Sequence, residues 1–207
     1  VKSACGSAWS EEAVFTTACG AFNLPFTENF DDWGTGSDAF PNCWSRPVIY
    51  ESYTAFFPSI VSYNSSPSSP NSLKFQSSTT DPTYLISPAI AEDINDVMVL
   101  FSLKREGNDS GIMEIGVMSD PSDISTFELV QTIDPDNTDW AVYEVMFAMT
   151  TLTGENNHIA FKHVSDANNW YYWIDDVTVD LIPNCPKPDN LHTDNITATS
   201  ASLNWTE

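Results

Sequence analysis

The chain has few basic residues and no long apolar segments. Seven Lys and Arg stand against 29 Asp and Glu in 207 residues, which gives a formal net charge of −22. A surface this acidic repels phosphate backbones, so we expect no nucleic-acid partner. No apolar run approaches the roughly 18 residues that a membrane helix requires, so we expect no membrane insertion.

Motifs of catalytic and zinc sites are missing as well. The sequence contains no CxxC pair, no HExxH and no G-x-S-x-G, and its three histidines are scattered. Adjacent carboxylates such as Asp31 and Asp32 point to opposite faces of a strand, so they cannot flank one glycosidic bond together. The sequence therefore predicts a protein that is not an enzyme.

Cysteine is scarce, with four residues in the chain. An even number of cysteines in an acidic chain that carries N-glycosylation sequons indicates two disulfides, and with them a secreted or cell-surface location. Four cysteines allow three connectivities, and the spacing alone does not select one.

Strand patterns replace helical periodicity along most of the chain. Apolar residues alternate from Val97 to Leu103 and again from Met113 to Val117, around a Gly–Asn–Asp turn, which predicts a hairpin. Further strands are predicted at 143–147, 159–163 and 173–181. Many short strands with turn-rich connections predict an all-β sandwich of the jelly-roll type.

Composition divides the chain into pieces of residues 1–19, 20–182 and 183–207. The first piece, VKSACGSAWSEEAVFTTAC, resembles the last strands of a fibronectin type III module. The third, CPKPDNLHTDNITATSASLNWTE, resembles the first strands of another such module. If the first piece is one hairpin-like unit, Cys5 pairs locally with Cys19, which leaves Cys43 to pair with Cys185.

The central piece resembles the bacterial surface modules called choice-of-anchor, cleaved-adhesin or MAM-like jelly rolls. The motifs that carry the resemblance are LPFTENFDDW, FPNCWSR, SLKFQSS, TYLISPAI, NNHIAFKHVS and YYWIDDVTV, in that order. Such modules stand in tandem with fibronectin-like modules in exported adhesins and proteases. The resemblance implies a role in binding or adhesion and a structural calcium ion, and it does not identify the ligand.

Two carboxylates have the strand parity of apolar neighbours. Glu28 shares its parity with Phe26 and Phe30, and Asp175 shares its parity with Trp173 and Val177. Alternation therefore points both carboxylates toward the core, where an unpaired charge costs several kcal/mol. Two other interpretations remain open: the carboxylates cap backbone N–H groups at strand ends, or a β-bulge turns them outward.

Calcium offers one solution to this problem. The first and last strands of a jelly roll lie side by side, so Glu28 and Asp175 would converge, and a shared cation would offset their repulsion. The resemblance implies a calcium ion at this place. Asp31, by its proximity, and Asn71, in a segment that resembles the ligand loop of such modules, are the second-rank ligands.

The run Trp170–Tyr171–Tyr172–Trp173 is the densest aromatic cluster of the chain. Alternation sends Tyr171 and Trp173 to one face and Trp170 and Tyr172 to the other, and one pair is expected to pack in the core. We select Trp170 and Tyr172 as the candidate platform for sugar rings or a partner protein.

These observations predict a calcium-stabilised binding or adhesion module of a secreted or cell-surface bacterial protein. Its expected partners are a host or matrix protein, a polysaccharide and the neighbouring domains of the same polypeptide. One alternative is a carbohydrate-binding module that serves an attached hydrolase. The other is a structural spacer that holds neighbouring domains apart.

Overall fold

The computed structural model describes residues 19–36, 40–47, 57–62, 66–77, 81–107, 111–135, 138–148, 157–165, 170–185 and 189–206. Within these residues, ten strands form a sandwich of two antiparallel sheets, and two more form a separate hairpin. The strands are β1 (Phe26–Glu28), β2 (Ser59–Ser62), β3 (Asn71–Ser77), β4 (Thr83–Ile86), β5 (Val97–Arg105), β6 (Gly111–Met118), β7 (Glu128–Ile133), β8 (Ala141–Met146), β9 (His158–Ser165), β10 (Trp170–Leu181), β11 (Asp189–Asp194) and β12 (Ser202–Thr206). Short 3-10 helices lie at Ile94–Asp96 and Ile124–Thr126. Among the described residues, no helix has the length and hydropathy to cross a membrane.

The larger sheet has the order β2-β3-β10-β5-β8, with β1 paired to the second half of β10. The smaller sheet has the order β4-β9-β6-β7. Alternating side chains of both sheets fill the space between them, for example Val99 and Phe101 of β5 and Ile115 and Val117 of β6, all of which are buried. This arrangement confirms the predicted all-β jelly-roll sandwich.

The predicted hairpin of residues 97–117 is wrong, although both of its strands exist. β5 pairs with β10 and β8 in the larger sheet, whereas β6 pairs with β9 and β7 in the smaller one. The turn-like sequence between them therefore joins the two sheets. Local alternation identifies each strand but does not identify its partner, because the partner is distant in sequence.

The disulfide prediction is also wrong. Cys19 is bonded to Cys43, which excludes both predicted pairs, and Cys185 is an exposed free thiol. Cys5 lies outside the described residues. The bond ties the last residue of the first piece to the segment before Trp44, which is a core residue. The prediction failed because it assigned Cys19 to a local unit with Cys5, whereas the fold brings residues 19 and 43 together.

The C-terminal strands β11 and β12 pair only with each other among the described residues. Leu191, Leu203 and Trp205 are exposed on this hairpin, with 49–63% of their surface accessible. Its assignment to a fibronectin type III module remains a prediction. The same holds for residues 1–19, of which 1–18 lie outside the described residues, and for the boundaries of the central domain.

Candidate functional site

β1 and β10 are neighbours, as the sequence predicted for the first and last strands of the sandwich. Glu28, the last residue of β1, lies opposite Val177 of β10. The register of β10 against β5 shifts between Asp175 and Thr178, and Asp176 has a φ of 49°. A β-bulge therefore lies beside the C-terminal end of β1 and determines where the Asp175 carboxylate points.

The bulge changes the face on which the side chains of β10 lie. Before it, Tyr172 and Ile174 belong to the core, and after it Val177 and Val179 do. The prediction that Trp173, Asp175 and Val177 share the inner face is therefore wrong. Asp175 lies opposite Ser102, on the outer face of the larger sheet.

Asp175 is nevertheless fully buried, because the segment before β3 covers this part of the outer face. The Ser68 amide donates to Oδ2 at 3.1 Å, and the Ser68 hydroxyl lies 3.0 Å from Oδ1. The Asp176 amide donates to Oδ1 at 2.8 Å. Burial raises the pKa of Asp175 to about 6 in spite of these hydrogen bonds, and the nearby Asp176 charge adds to the increase.

Glu28 is half-buried and is the last residue of β1, directly before the turn that follows this strand. Its Oε1 accepts hydrogen bonds from the Phe30 amide at 2.7 Å and from the Trp33 indole at 3.1 Å. Burial raises the pKa of Glu28, and the charges of Asp32 and Asp31 act in the same direction against these hydrogen bonds. Glu28 therefore does cap backbone near a strand end, as one open interpretation held.

Asp31 and Asn71 connect this turn to the start of β3. The Asn71 amide donates to Asp31 Oδ1 at 2.8 Å. The side-chain nitrogen of Asn71, which is 5% exposed, lies 2.9–3.4 Å from three carbonyl oxygens of the turn. These carbonyls belong to Phe30, Asp31 and Trp33. The buried side-chain amide of Asn71 thus fixes the fold of the turn.

All four predicted ligands lie around one junction, formed by the turn after β1, the segment before β3 and the bulge of β10. The Ser68 hydroxyl links the two sides, since it lies 3.4 Å from the Asn29 carbonyl and beside Asp175. Within the described part of the chain, neither Glu28 nor Asp175 forms an ion pair with a basic side chain, and the charges that act on them are acidic.

The donors at this junction are oxygen atoms, which suit calcium and not zinc. However, no group of three His, Cys, Asp or Glu side chains among the described residues lies close enough to hold a metal. A cation here would therefore take part of its coordination from carbonyl, amide or hydroxyl oxygens, as calcium sites commonly do. The residues fit calcium on that condition.

The predicted platform of Trp170 and Tyr172 is not formed. Tyr172 is completely buried, its ring centroid lies 4.4 Å from that of His163, and its hydroxyl donates to the Gly111 carbonyl at 2.7 Å. It is a core residue and is not available for stacking on a ligand. The side chain of Trp170 lies outside the described part of the chain.

The other aromatic pair of this run lies on the outer face of the larger sheet. The rings of Tyr171 and Trp173 are 6.2 Å apart, and Trp173 lies opposite Lys74 on one side and Lys104 on the other. Sequence analysis recognised both pairs but selected the wrong one. Lys74 and Lys104 mark the outer faces of β3 and β5, because lysines seldom face a core, but only the register in the structure extends that assignment to Trp173.

Three solved structures are similar to this chain in fold. The K1 cleaved adhesin domain of Lys-gingipain from Porphyromonas gingivalis W83 has a TM-score of 0.60 at 14% identity, covering 77% of this chain and 99% of that domain. The K2 domain of Lys-gingipain gives the same values. The K3 domain from the same bacterium has a TM-score of 0.53 at 14% identity, covering 74% and 95%.

No protein-family model and no curated protein matches the sequence. The resemblance to cleaved-adhesin modules drawn from the sequence motifs thus agrees with the similarity in fold, while the MAM-like and fibronectin assignments stay predictions. At 14% identity, what the chain shares with these domains is the jelly-roll β-sandwich.

Proposed function

We propose that the chain is a non-enzymatic extracellular module that binds a polysaccharide or a host or matrix protein, and that calcium stabilises its fold. One observation carries the calcium part: Glu28 and Asp175 meet the same junction, each with a raised pKa and with no basic ion-pair partner among the described residues. The similarity in fold to domains described as cleaved adhesins supports the adhesion part. The Cys19–Cys43 bond supports the extracellular location.

The residues that would hold calcium are Glu28 and Asp175, with Asp31, Asn71 and the Asn29 carbonyl as further oxygen donors. The ion would supply positive charge at a place where the charges acting on both carboxylates are negative. It would join the turn after β1 to the last strand of the sandwich. Because these oxygens come together only in the folded chain, calcium would stabilise the fold and not the unfolded state.

Thermal unfolding with calcium, with magnesium and with a chelator tests this proposal. At a hundredfold excess over its Kd, calcium adds about 2.7 kcal/mol to the free energy of unfolding. For a chain of this size, that corresponds to an increase in Tm of roughly 5–10 °C. Magnesium should have a smaller effect, because it demands tight octahedral geometry and gives up water reluctantly.

A matched pair of variants gives this experiment its control. Asp175→Asn should remove most of the calcium effect. Asp180→Asn, which changes the same charge on the same strand outside the junction, should keep it. Melting curves that are identical in calcium and in chelator would contradict the calcium proposal. Calcium-dependent stability without binding to any glycan or matrix protein would instead favour the structural-spacer alternative.

A further inference from the structure

Basic residues are rare in this chain, and they are unevenly placed. Of the seven, Lys2 and Lys187 lie outside the described residues. Three of the remaining five lie on the two strands that flank β10 in the larger sheet. These three are Lys74 on β3 and Lys104 and Arg105 on β5. Arg105 lies opposite the core residue Tyr172, whereas Lys74 and Lys104 both lie opposite Trp173, so the two lysines share the outer face of the sheet.

The two lysines lie beside the outward aromatic pair, Tyr171 and Trp173. Trp173 is the direct neighbour of Lys74 across one strand boundary and of Lys104 across the other, so the three form one row across the sheet. The Lys74 ammonium lies 4.7 Å from the centre of the Tyr171 ring. Since Tyr172 and Ile174 occupy the core, this row lies on the outer face. We call Lys74, Tyr171, Trp173 and Lys104 the lysine–aromatic row.

A surface cavity of about 340 Å³ adjoins the row. Lys104, Arg105 and Trp173 line it together with Thr138. Glu106 and Asp139 line it too, so a negatively charged group is favoured on the Lys104 side of the cavity and not beside these carboxylates. Trp173 is 7% exposed and forms part of the floor, which leaves the half-buried Tyr171 as the ring on which a ligand stacks.

We propose that the lysine–aromatic row binds an anionic polysaccharide, one whose sugar rings carry carboxylate or sulfate groups. This inference rests on the proposed binding function and specifies its ligand class. An aromatic ring packs against the apolar face of a pyranose ring, and the flanking ammonium groups form charge-assisted hydrogen bonds with its anionic substituents. A neutral glycan would use the ring but would offer the two lysines only uncharged hydroxyl acceptors, without the attraction between opposite charges.

The acidic remainder of the protein does not prevent this contact. At physiological ionic strength, charges more than about 8 Å apart are largely screened from each other when exposed to solvent. The nearest charges then decide the local interaction. On either side of Trp173 these are the ammonium groups of Lys74 and Lys104, whereas Glu106 and Asp139 line the adjoining cavity. The net charge acts mainly on the rate of association, which it slows.

The test compares ligands that differ in one group. Calorimetry at fixed calcium measures the affinity for three sugars of the same length. These are a short oligogalacturonate, a neutral galacto-oligosaccharide and the sulfated form of that neutral sugar. We expect at least tenfold tighter binding of one or both anionic forms, decreasing as salt rises. The double variant Lys74→Gln with Lys104→Gln should lose that preference. Adding Tyr171→Ala to it should weaken the remaining binding, because the stacking ring is then lost as well.

Lys162→Gln is the matched control, because Lys162 pairs with Glu114 on the smaller sheet, at 2.7 Å. It should bind like the wild type, and melting curves verify that each variant is folded. Equal binding of the neutral and anionic sugars would overturn this inference and leave the binding function intact. If polyglutamate binds as tightly as the anionic sugars, the ligand of the row is an acidic protein instead. If single-stranded DNA binds as tightly, the ligand is a nucleic acid. The inference that the row binds an anionic polysaccharide would also be wrong if no anionic glycan binds.

Discussion

The amide and the hydroxyl of Ser68 both lie within 3.1 Å of the Asp175 carboxylate. The two residues are 107 positions apart in the chain, and their contact closes the segment before β3 over the outer face of β10. It is the reason that a carboxylate on that face is fully buried. The contact also places Ser68 between Asp175 and the Asn29 carbonyl, at the centre of the proposed calcium site.

Removal of the Ser68 hydroxyl should therefore destabilise the fold. Hydrogen bonds to charged groups contribute about 1.5–3 kcal/mol, and we expect Ser68→Ala to lower the free energy of unfolding by roughly that amount in chelator. Urea denaturation at neutral pH measures the change. Ser62→Ala is the control, since its hydroxyl makes only an exposed contact of 3.4 Å to the Pro70 carbonyl. Equal effects of the two substitutions would show that the Ser68 contact contributes nothing specific.

The disulfide between Cys19 and Cys43 gives a second prediction. Non-reducing peptide mapping should recover these two cysteines in one linked pair and Cys185 as a free thiol. The bond closes a loop with a sequence separation of 24. In the chain-entropy model a loop of this length is worth about 3 kcal/mol, so Cys19→Ser with Cys43→Ser should reduce stability by roughly that amount. A linked pair of Cys43 and Cys185 would contradict the structure.

The sequence predicts the strands well and their partners poorly. Alternation located β5, β6, β9 and β10, since period-2 burial is a local property. It paired β5 with β6 wrongly, because partners in a jelly roll are set by packing between distant segments. The carboxylates at the junction were predictable because jelly-roll topology places the first strand beside the last.

The details around Asp175 were not predictable in the same way. The sequence carries no marker for the bulge at Asp175 and Asp176, where a non-glycine residue adopts a φ of 49°. That single irregularity reverses the faces of Tyr172 and Trp173 relative to Val177, and so it determined which aromatic pair is buried. The contact with Ser68 depends on how the segment before β3 folds back, which strand periodicity does not describe.

The last prediction concerns protons and calcium at Asp175. Its pKa in the folded chain is about 6, against an ordinary value of 3.8, so the folded state binds more protons than the unfolded state between these values. Without calcium, this group therefore makes the fold more stable as the pH falls from 7 toward 4, by at most about 1.4 kcal/mol per pH unit. Above pH 6 the contribution is lost.

His163 acts in the opposite direction over part of this range. Burial lowers its pKa from 6.5 to about 3, so the unfolded state binds the extra proton and stability falls as the pH drops below 6.5. We therefore compare the free energies of unfolding of the wild type and of Asp175→Asn. Both proteins contain His163, so its contribution cancels in the difference. In chelator, that difference should shift in favour of the wild type as the pH is lowered from 7 to 5.

Calcium should reverse this dependence. The ion binds the ionised carboxylate, so protons compete with it, and its apparent affinity should fall by up to about tenfold per pH unit below 6. We therefore expect calcium to raise the Tm of the wild type strongly at pH 7 and weakly at pH 5, with little effect on Asp175→Asn at either pH. Melting curves at both pH values measure this. A calcium effect of the same size at pH 5 and pH 7 would show that the ion does not bind Asp175, since a ligand with this pKa must lose its proton first.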